Sequence, residues 1–406
     1  MLDMEYYPLT FAAGCRAEVV IKANELYMQE GVSWGCINAE GKSLSGNTTL
    51  FWDSFETPEI RHLDNGNVVM SFDLPEAGQY NIFAFLGNQG NIIAHGSIYA
   101  LEKPLLDLIP LRGDFHVHTS RSDGQQSPAD AVAGERRRGM DFVYITDHVS
   151  YCTAAAAAEL DQPGVIRVYP GEEMHMPLPE KLSRPLNPAL IWGQTPWVKG
   201  CIPVHLVNAG GAKSVNEMAR RDPAGWEKEI YTLIRELPQR ESLSEFDLWC
   251  FAVSTWAFRK TRENGGLAIL PHPYWTIHGR TAISETVREE LFAAREFDAM
   301  ECANSNWQEY NIFGVSAWQR ENARKPIAGL GVSDGHNFVE ENDNRYCYTI
   351  VFAAENSHEA ISSAVRQGLC VTVMPAGKEL MPLIVGELPL VQYASFLLRT
   401  RFKKQL

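Results

Sequence analysis

Two histidines separated by one residue, His116 and His118, follow an apolar stretch of the chain. Side chains two positions apart point the same way along a β-strand, so both imidazoles would leave one strand end together. Paired imidazoles of this kind bind transition-metal ions. Asp123 follows in a Ser/Gly turn that is short enough to fold back over the same place. The segment therefore predicts a metal site.

Five further apolar runs carry His, Asp or Glu at or near their ends. The runs are 141–146 before Asp147 and His148, 165–169 before Glu172 and Glu173, 202–207 around His205, 266–270 before His272, and 326–331 before Asp334 and His336. A β/α barrel collects the C-terminal ends of its strands at one face, where catalytic groups are found. Strand ends that repeatedly carry metal-binding residues therefore indicate one polynuclear site.

The elements that must position these residues alternate between strand and helix. Ser127-Pro128 is a typical helix N-cap with proline at the first helical position, and Gly139 is a typical helix stop. Residues 1–105 show short alternating runs between turn signals, which predict a small all-β sandwich. We expect an α/β domain over 106–385, with insertions at about 174–204 and 206–260, and a tail over 386–406.

Composition restricts the function. The formal net charge of −14 over 406 residues argues against binding long nucleic acid, but it leaves a nucleotide or short oligonucleotide open. The eight cysteines form no Cys-x-x-Cys pair, the N-terminus does not resemble a signal peptide, and no apolar run is long enough for a membrane span. We therefore expect a cytoplasmic protein with free thiols and no membrane contact. The sequence does not indicate an oligomeric state.

The ordered motifs resemble the polymerase and histidinol phosphatase (PHP) superfamily of metal-dependent phosphoesterases. The resemblance covers roughly residues 110–375 and rests on His116-x-His118-x4-Asp123, Thr146-Asp147-His148, Gly171-x-Glu173, Val204-His205, Pro271-His272-Pro273 and Ser333-Asp334-x-His336. It implies an α/β fold of the distorted (β/α)7-barrel type, here preceded by the β-sandwich. It also implies up to three divalent ions, and the ligand types suit Zn, Mn or Fe.

The resemblance further assigns nine ligands to these ions. The first ion would be held by His116, His118, Glu173 and Asp334, the second by Glu173, His205 and His272, and the third by Asp123, His148 and His336. A hydroxide bridging the first two ions would attack phosphorus, because bound metal lowers the pKa of water to about 7. Asp334 and His336 are the candidate catalytic residues, with Asp334 orienting or deprotonating the water.

Some assignments have competitors in the sequence. His175 lies two residues after Glu173 and would point the same way if the strand continued, but His205 is preferred because it lies in its own apolar run. Glu172 competes with Glu173, which the family spacing favours. Glu301 and Asn304 end another apolar run and are read equally as outer groups supporting the ligands or as plain turn residues.

Phosphate binding beyond the ions is expected from basic residues near the metal motifs. Arginine offers a planar fork that matches phosphate oxygens, which makes Arg121, Arg280 and Arg345 candidates. His278 lies in the same loop as Arg280 and is a further candidate.

The leading functional hypothesis is metal-dependent hydrolysis of a phosphomonoester or a short phosphodiester. A dinuclear amidohydrolase is one alternative, since such enzymes also begin with His-x-His, and a non-catalytic binding protein is another. Asp123, His148 and His336 make sense as a third-ion set and so favour the phosphoesterase. The substrate would be a phosphorylated small molecule or a short oligonucleotide, and the sequence does not specify which.

Overall fold

The computed structural model describes residues 2–26, 28–40, 56–87, 91–182, 200–237, 243–277, 280–377 and 380–402. They divide into two compact units, one formed by Met1–Leu108 with Val391–Lys404 and the other by Ile109–Leu390. The division thus falls after residue 108, and the C-terminal stretch set apart above as a tail groups with the N-terminal unit. Among the described residues, no helix combines the length and apolar character that a membrane crossing requires.

The N-terminal unit is built from short strands. They are β1 (Leu2–Asp3), β2 (Tyr6–Tyr7), β3 (Thr10–Ala12), β4 (Cys15–Ile21), β5 (Val32–Asn38), β6 (Glu59–His62), β7 (Val68–Leu74), β8 (Gly78–Leu86) and β9 (Asn91–Leu101). One sheet has the order β1-β9-β8-β5, with β3 also paired to β9, and the other has the order β2-β4-β7-β6. Most neighbouring strands are antiparallel, although β1 and β3 run parallel to β9.

A shared apolar core joins these two sheets into a sandwich. In β4, Ala17, Val19 and Ile21 are fully buried while Glu18 between them is exposed, which is the alternation of a strand with one solvated face. The same core includes side chains of the other sheet, such as Ile82. The predicted all-β sandwich is confirmed.

The second unit alternates strands and helices. Its strands are β10 (Ile109–Val117), β11 (Phe142–Ile145), β12 (Arg167–Tyr169), β13 (Gly171–Met174), β14 (Leu206–Ala209), β15 (Leu267–Leu270), β16 (Thr276–Ile277), β17 (Arg280–Thr281), β18 (Ala299–Asn304), β19 (Ala328–Val332), β20 (Tyr348–Ala353), β21 (Cys370–Met374) and β22 (Leu383–Val385). Its helices are α1 (Pro128–Arg137), α2 (Ala154–Leu160), α3 (Val215–Arg221), α4 (Pro223–Glu236), α5 (Glu245–Glu263), α6 (Glu285–Ala294), α7 (Asn311–Arg324) and α8 (His358–Arg366).

Two sheets form the centre of this unit. Their orders are β12-β11-β10-β20-β21-β22 and β13-β14-β15-β18-β19, while β16 and β17 form a separate two-stranded pair. The isolated bridges between the two sheets and their adjoining segments include Val117 with Gly335 and His148 with Glu173. The α/β class is confirmed, but the ladders of the described strands do not run continuously into a closed barrel. Both bridges involve or adjoin predicted metal ligands, so the metal motifs lie where the sheets meet.

Local sequence signals explain how the helices begin and end. The Ser127 side chain accepts a hydrogen bond from the Asp130 backbone N–H and Pro128 starts α1, as predicted. Gly139 follows the helix with φ of +79°, a conformation that glycine adopts without strain.

The stretch 206–260 contains β14, α3, α4 and most of α5. The ring of Trp226 packs here against those of Trp249 and Trp256, with centroids 5.7 and 6.0 Å apart. All three belong to the apolar core of this unit, so they serve packing. Of the other predicted insertion, residues 183–199 lie outside the described part of the chain.

The last helix, α9 (Leu388–Arg399), explains why the C-terminal stretch groups with the sandwich. The rings of Tyr393 and Phe396 lie 5.1 and 5.3 Å from that of Tyr99. The Arg399 guanidinium donates to Gln79 Oε1 at 2.7 Å. The sequence analysis treated residues 386–406 as a tail and did not predict this helix or its apolar face.

Candidate metal centre

The nine predicted ligands all lie at one edge of the two central sheets. His116 and His118 are at the end of β10, His148 follows β11, His272 follows β15, and Asp334 and His336 follow β19. These strands run parallel within their sheets, so their C-terminal ends face one side. His205 reaches the same side from before β14, because β14 is antiparallel to both β13 and β15.

The first group consists of His116, His118, Glu173 and Asp334. The Nε2 atoms of the two histidines are 3.0 Å apart. Glu173 Oε2 lies 3.1 and 3.3 Å from them. Asp334 Oδ1 lies 3.1 Å from His118 Nε2 and 3.7 Å from His116 Nε2. The four buried side chains thus direct one atom each toward a common point.

The second group shares Glu173 with the first. Its other oxygen, Oε1, lies 2.8 Å from His205 Nδ1 and 3.0 Å from His272 Nε2. One carboxylate therefore faces two clusters of imidazole nitrogens, one from each oxygen, which is the arrangement of a bridging ligand.

The third group consists of Asp123, His148 and His336. The two oxygens of Asp123 lie 3.4 Å from His148 Nε2 and 3.3 Å from His336 Nε2. His118 borders this group as well, because its Nδ1 is 3.5 Å from Asp123 Oδ1. The three groups are therefore adjacent and connected through His118 and Glu173.

The turn that carries Asp123 is held from below by Asp147. Its carboxylate accepts hydrogen bonds from the Thr119 backbone N–H and from the Thr119 and Ser122 hydroxyls, each at 2.7 Å. Gly124 lies so close to the His118 backbone that a Cβ atom there would be 2.6 Å from it. The turn consequently needs a glycine at this position to return Asp123 to the histidines.

Strained backbone marks the same region. Val149, His272 and Asp334 have φ values of +57°, +21° and +48°, which non-glycine residues rarely adopt. Two of these are predicted ligands and the third follows His148. Such conformations cost roughly 1–3 kcal/mol each and concentrate at functional sites.

Burial and mutual contact shift the acid–base properties of the ligands. Burial by itself would raise the pKa of Glu173, but His116, His148 and His205 hold it well below its ordinary value. The pKa values of Asp334 and Asp123 are likewise lowered by neighbouring histidines against the effect of burial. All three carboxylates are therefore ionised at neutral pH.

The histidines respond according to their carboxylate contacts. Burial lowers the pKa of His118, but hydrogen bonds with Asp334 and Glu173 more than offset this and raise it to about 10. Burial lowers the pKa of His205 in spite of Glu173. For His175, burial and the neighbouring His205 and His148 lower the pKa well below its ordinary value.

These residues fit divalent metal ions. Ligand atoms about 2.1 Å from a tetrahedral ion lie about 3.4 Å apart, close to the separations within each group. Among the described residues, the buried Nδ1 atom of His118 has no hydrogen-bond partner, and it faces Asp123 of the third group. Imidazole with carboxylate is a donor set suited to Zn, Mn or Fe.

Glu301 and Asn304, in β18, support the ligands from outside. Glu301 Oε1 lies 2.7 Å from His116 Nδ1, and its Oε2 accepts from the His272 backbone N–H at 2.9 Å. The Asn304 amide donates to Glu301 Oε2 and Asp334 Oδ2, both at 3.1 Å. Of the two readings left open for Glu301, the structure places it against the ligands. Its carboxylate fixes the His116 tautomer that leaves Nε2 to face the first group.

The two sequence competitors occupy distinct places. Glu172 points to the opposite face of β13, where it accepts hydrogen bonds from Asn208, Ser214 and the backbone of Val215. His175 lies beside His148, with Nε2 2.7 Å from His148 Nδ1, whereas His205 contacts Glu173.

The structure describes the side chains of two of the four predicted phosphate-binding residues. The side chains of Arg121 and Arg345 are exposed. His278 and the side chain of Arg280 lie outside the described residues. A residue that the sequence did not single out is Trp275, whose ring is 4.5 Å from that of His205 and 5.6 Å from that of His272. Its position three residues after His272 was the only available signal.

Comparison with known proteins adds fold-level similarity. No protein-family model and no curated protein matches the chain. Among solved structures, it is similar to a two-domain protein of Bacteroides vulgatus containing a predicted PHP-like metal-dependent phosphoesterase, at 17% identity and a TM-score of 0.44, covering 71% of this chain and 70% of the other.

Two further structures cover 55% of this chain and 87% of their own length. They are an amidohydrolase of Chromobacterium violaceum with bound sulfate and no metal, at 18% identity and a TM-score of 0.34, and a candidate metal-dependent phosphoesterase of Bifidobacterium adolescentis, at 17% and 0.36. At such identities and scores, the case for function rests on the site residues themselves.

Proposed function

We propose that this protein is a metal-dependent phosphoesterase that hydrolyses a phosphomonoester or a short phosphodiester at a three-ion centre. The observation that carries the proposal is the Glu173 carboxylate. Its two oxygens face separate histidine clusters at 2.8–3.3 Å, with the third group directly beside them. Packing alone does not explain three adjacent groups of buried histidine and carboxylate side chains, whereas metal binding does.

The chain holds these groups ready for ions. His116, His118, Glu173 and Asp334 would hold the first ion, Glu173, His205 and His272 the second, and Asp123, His148 and His336 the third. Divalent ions there would neutralise phosphate oxygens and lower the pKa of bound water.

The residues around the first group define what the protein itself contributes. Asp334 presents Oδ1 to the histidines while the Asn304 amide holds its Oδ2, so the carboxylate is fixed where it can orient an attacking water. Glu301 holds His116 in one orientation. His336, whose Nδ1 lies 2.7 Å from the Asp334 backbone oxygen, is fixed with Nε2 toward Asp123.

The third group favours phosphate-ester hydrolysis over amide hydrolysis. Asp123, His148 and His336 converge although a dinuclear amidohydrolase would need only the first two groups. A phosphate ester carries more negative charge into the transition state, and a third divalent ion would offset it. All nine positions are filled by ligand-competent residues, which weighs against a non-catalytic binding protein.

The proposed substrate is a phosphorylated small molecule or a short oligonucleotide. The net charge of −14 disfavours long nucleic acid, whereas the negative charge of a small phosphate ester can be met locally by the ions. Zn, Mn and Fe are the proposed metals, because histidine provides six of the nine ligands.

The test uses purified protein loaded separately with Mn²⁺, Zn²⁺ or Fe²⁺ and assayed with p-nitrophenyl phosphate and bis(p-nitrophenyl) phosphate. A panel of phosphorylated metabolites and short oligonucleotides follows. We expect hydrolysis that His116→Ala abolishes and that His62→Ala, at an exposed histidine of the other unit, leaves unchanged. If the His116→Ala variant hydrolysed these esters at the wild-type rate, the proposal would be refuted.

A further inference from the structure

The two ring nitrogens of His148 face different neighbours, one the third group and the other Glu173 and His175. Its Nε2 lies 3.4 Å from Asp123 Oδ2 in the third group. Its Nδ1 lies 3.1 Å from Glu173 Oε2 and 2.7 Å from His175 Nε2. A neutral imidazole has one lone pair for a metal ion and one N–H, so the acceptor of that N–H decides which way the lone pair points.

Two acceptors compete for the proton on His148 Nδ1. Glu173 Oε2 is one, but the same atom also lies 3.1 and 3.3 Å from His116 and His118 and belongs to the first group. When it serves an ion there, its availability to His148 falls. His175 Nε2 is the nearer acceptor and contacts none of the first-group ligands at hydrogen-bond distance in the described structure.

The position of His175 is fixed from several sides. It is 1% exposed and continues the face of β13 that carries Glu173 two residues earlier. Its backbone oxygen accepts from the Arg220 guanidinium at 2.9 Å and from the Cys201 thiol at 3.4 Å. Its ring lies between those of His148 and His205, at 4.4 and 4.3 Å. A side chain held this firmly can dictate the orientation of its neighbour.

We propose that His175 is a positioning residue that accepts the Nδ1–H of His148 and thereby directs His148 Nε2 to the third ion. The inference rests on the proposed three-ion centre and adds a residue to it. The alternative is that His148, Glu173 and His175 hold an ion of their own. That would require His148 to bind ions through both nitrogens, which a neutral imidazole cannot do.

The test compares His175→Leu, which removes the acceptor, with His175→Gln, which keeps an oxygen acceptor of similar reach. Metal per chain is measured by elemental analysis after equilibration over a range of free Mn²⁺ or Zn²⁺. Losing an outer hydrogen bond to a metal ligand typically weakens binding about 10–100-fold. We expect His175→Leu to lower the affinity for the third ion by this factor and to leave the affinities for the first two unchanged. His175→Gln should retain most of the wild-type affinity for the third ion.

A matched control is His358→Leu, because His358 is also hydrogen-bonded through its ring, to Tyr144 and the Gly265 backbone, away from the centre. It should leave metal binding unchanged. In the zinc-loaded wild type, ring ¹⁵N shifts should show a proton on Nδ1 of His148.

Several outcomes would overturn the inference. They are unchanged third-ion affinity in both His175 variants, equal loss in both, or a fourth ion in the wild type that His175→Leu removes. If the wild type itself binds fewer than three ions, the proposed three-ion centre fails, which is a different result. Should His175→Leu not fold, the His175→Gln variant and the ¹⁵N measurement still decide.

Discussion

Replacing Glu173 with glutamine should dismantle the centre more completely than any other single conservative change. Its carboxylate lies within 3.3 Å of five imidazole nitrogens, those of His116, His118, His148, His205 and His272. Glutamine keeps the size of the side chain but removes its negative charge and turns one oxygen into an N–H donor. Two of the three groups would each lose a ligand.

The size of the effect follows from this sharing. We expect the first two ions to be lost at micromolar free metal, leaving about one ion per chain. Activity should fall by at least roughly a thousandfold, equivalent to about 4 kcal/mol of transition-state stabilisation. Elemental analysis measures the first effect, and hydrolysis of p-nitrophenyl phosphate measures the second.

Glu172→Gln is the matched control, since Glu172 is equally buried but lies on the other face of β13. It should lower the free energy of unfolding by about 1–2 kcal/mol through weakened hydrogen bonds with Asn208 and Ser214. Its metal content should remain that of the wild type. If Glu172→Gln lost metal and Glu173→Gln kept it, the reasoning about the bridging carboxylate would be wrong.

Three further predictions concern the individual groups. Asp123→Asn should reduce the metal content from three ions to two, and elemental analysis showing three would contradict the third group. Glu301→Ala should lower the affinity for the first ion about 10–100-fold, because His116 loses the acceptor at its Nδ1. Competition with a chelator measures this affinity, and an unchanged value would contradict the prediction. The metal-free protein should lose stability as pH rises from 7 to 10, because the folded-state pKa of His118 is raised to about 10. The stability that protonated His118 contributes is complete below pH 6.5 and is lost as pH passes through 10. Metal-loaded protein should not show that loss, because ions replace the protons, and thermal unfolding at several pH values compares the two.

The strand ends were predictable because each motif is local. The pair His116 and His118 follows strand periodicity, and the N-cap at Ser127 follows side-chain hydrogen bonding within one turn. Both are dictated by residues close in sequence. The all-β sandwich was predictable for the same reason, since alternation and turns recur over short distances.

The supporting residues were less predictable because their contacts are long-range. Glu301 meets His116 across 185 positions, and nothing near Glu301 in the sequence indicates this partner. His205 and His175 illustrate the same limit. Only the antiparallel pairing of β14 with β13 shows that His205 faces Glu173, while His175 faces His148.

The helix α9 was missed because its apolar side chains pack against residues of the sandwich that are distant in sequence. Tyr393 and Phe396 pack on Tyr99, almost 300 positions away, while the sequence nearby draws attention to basic residues. How the two central sheets meet was also not predictable from local sequence, because it depends on residues far apart in the chain, such as Val117 and Gly335.

The central claim is that three ions at one centre support phosphate-ester hydrolysis. A titration of metal-free protein with Mn²⁺, recording bound ions per chain and p-nitrophenyl phosphate hydrolysis in the same samples, tests it most directly. We predict that binding saturates at three ions and that activity appears as occupancy rises from two to three. Saturation at two ions, or no hydrolysis at full occupancy, would contradict the account.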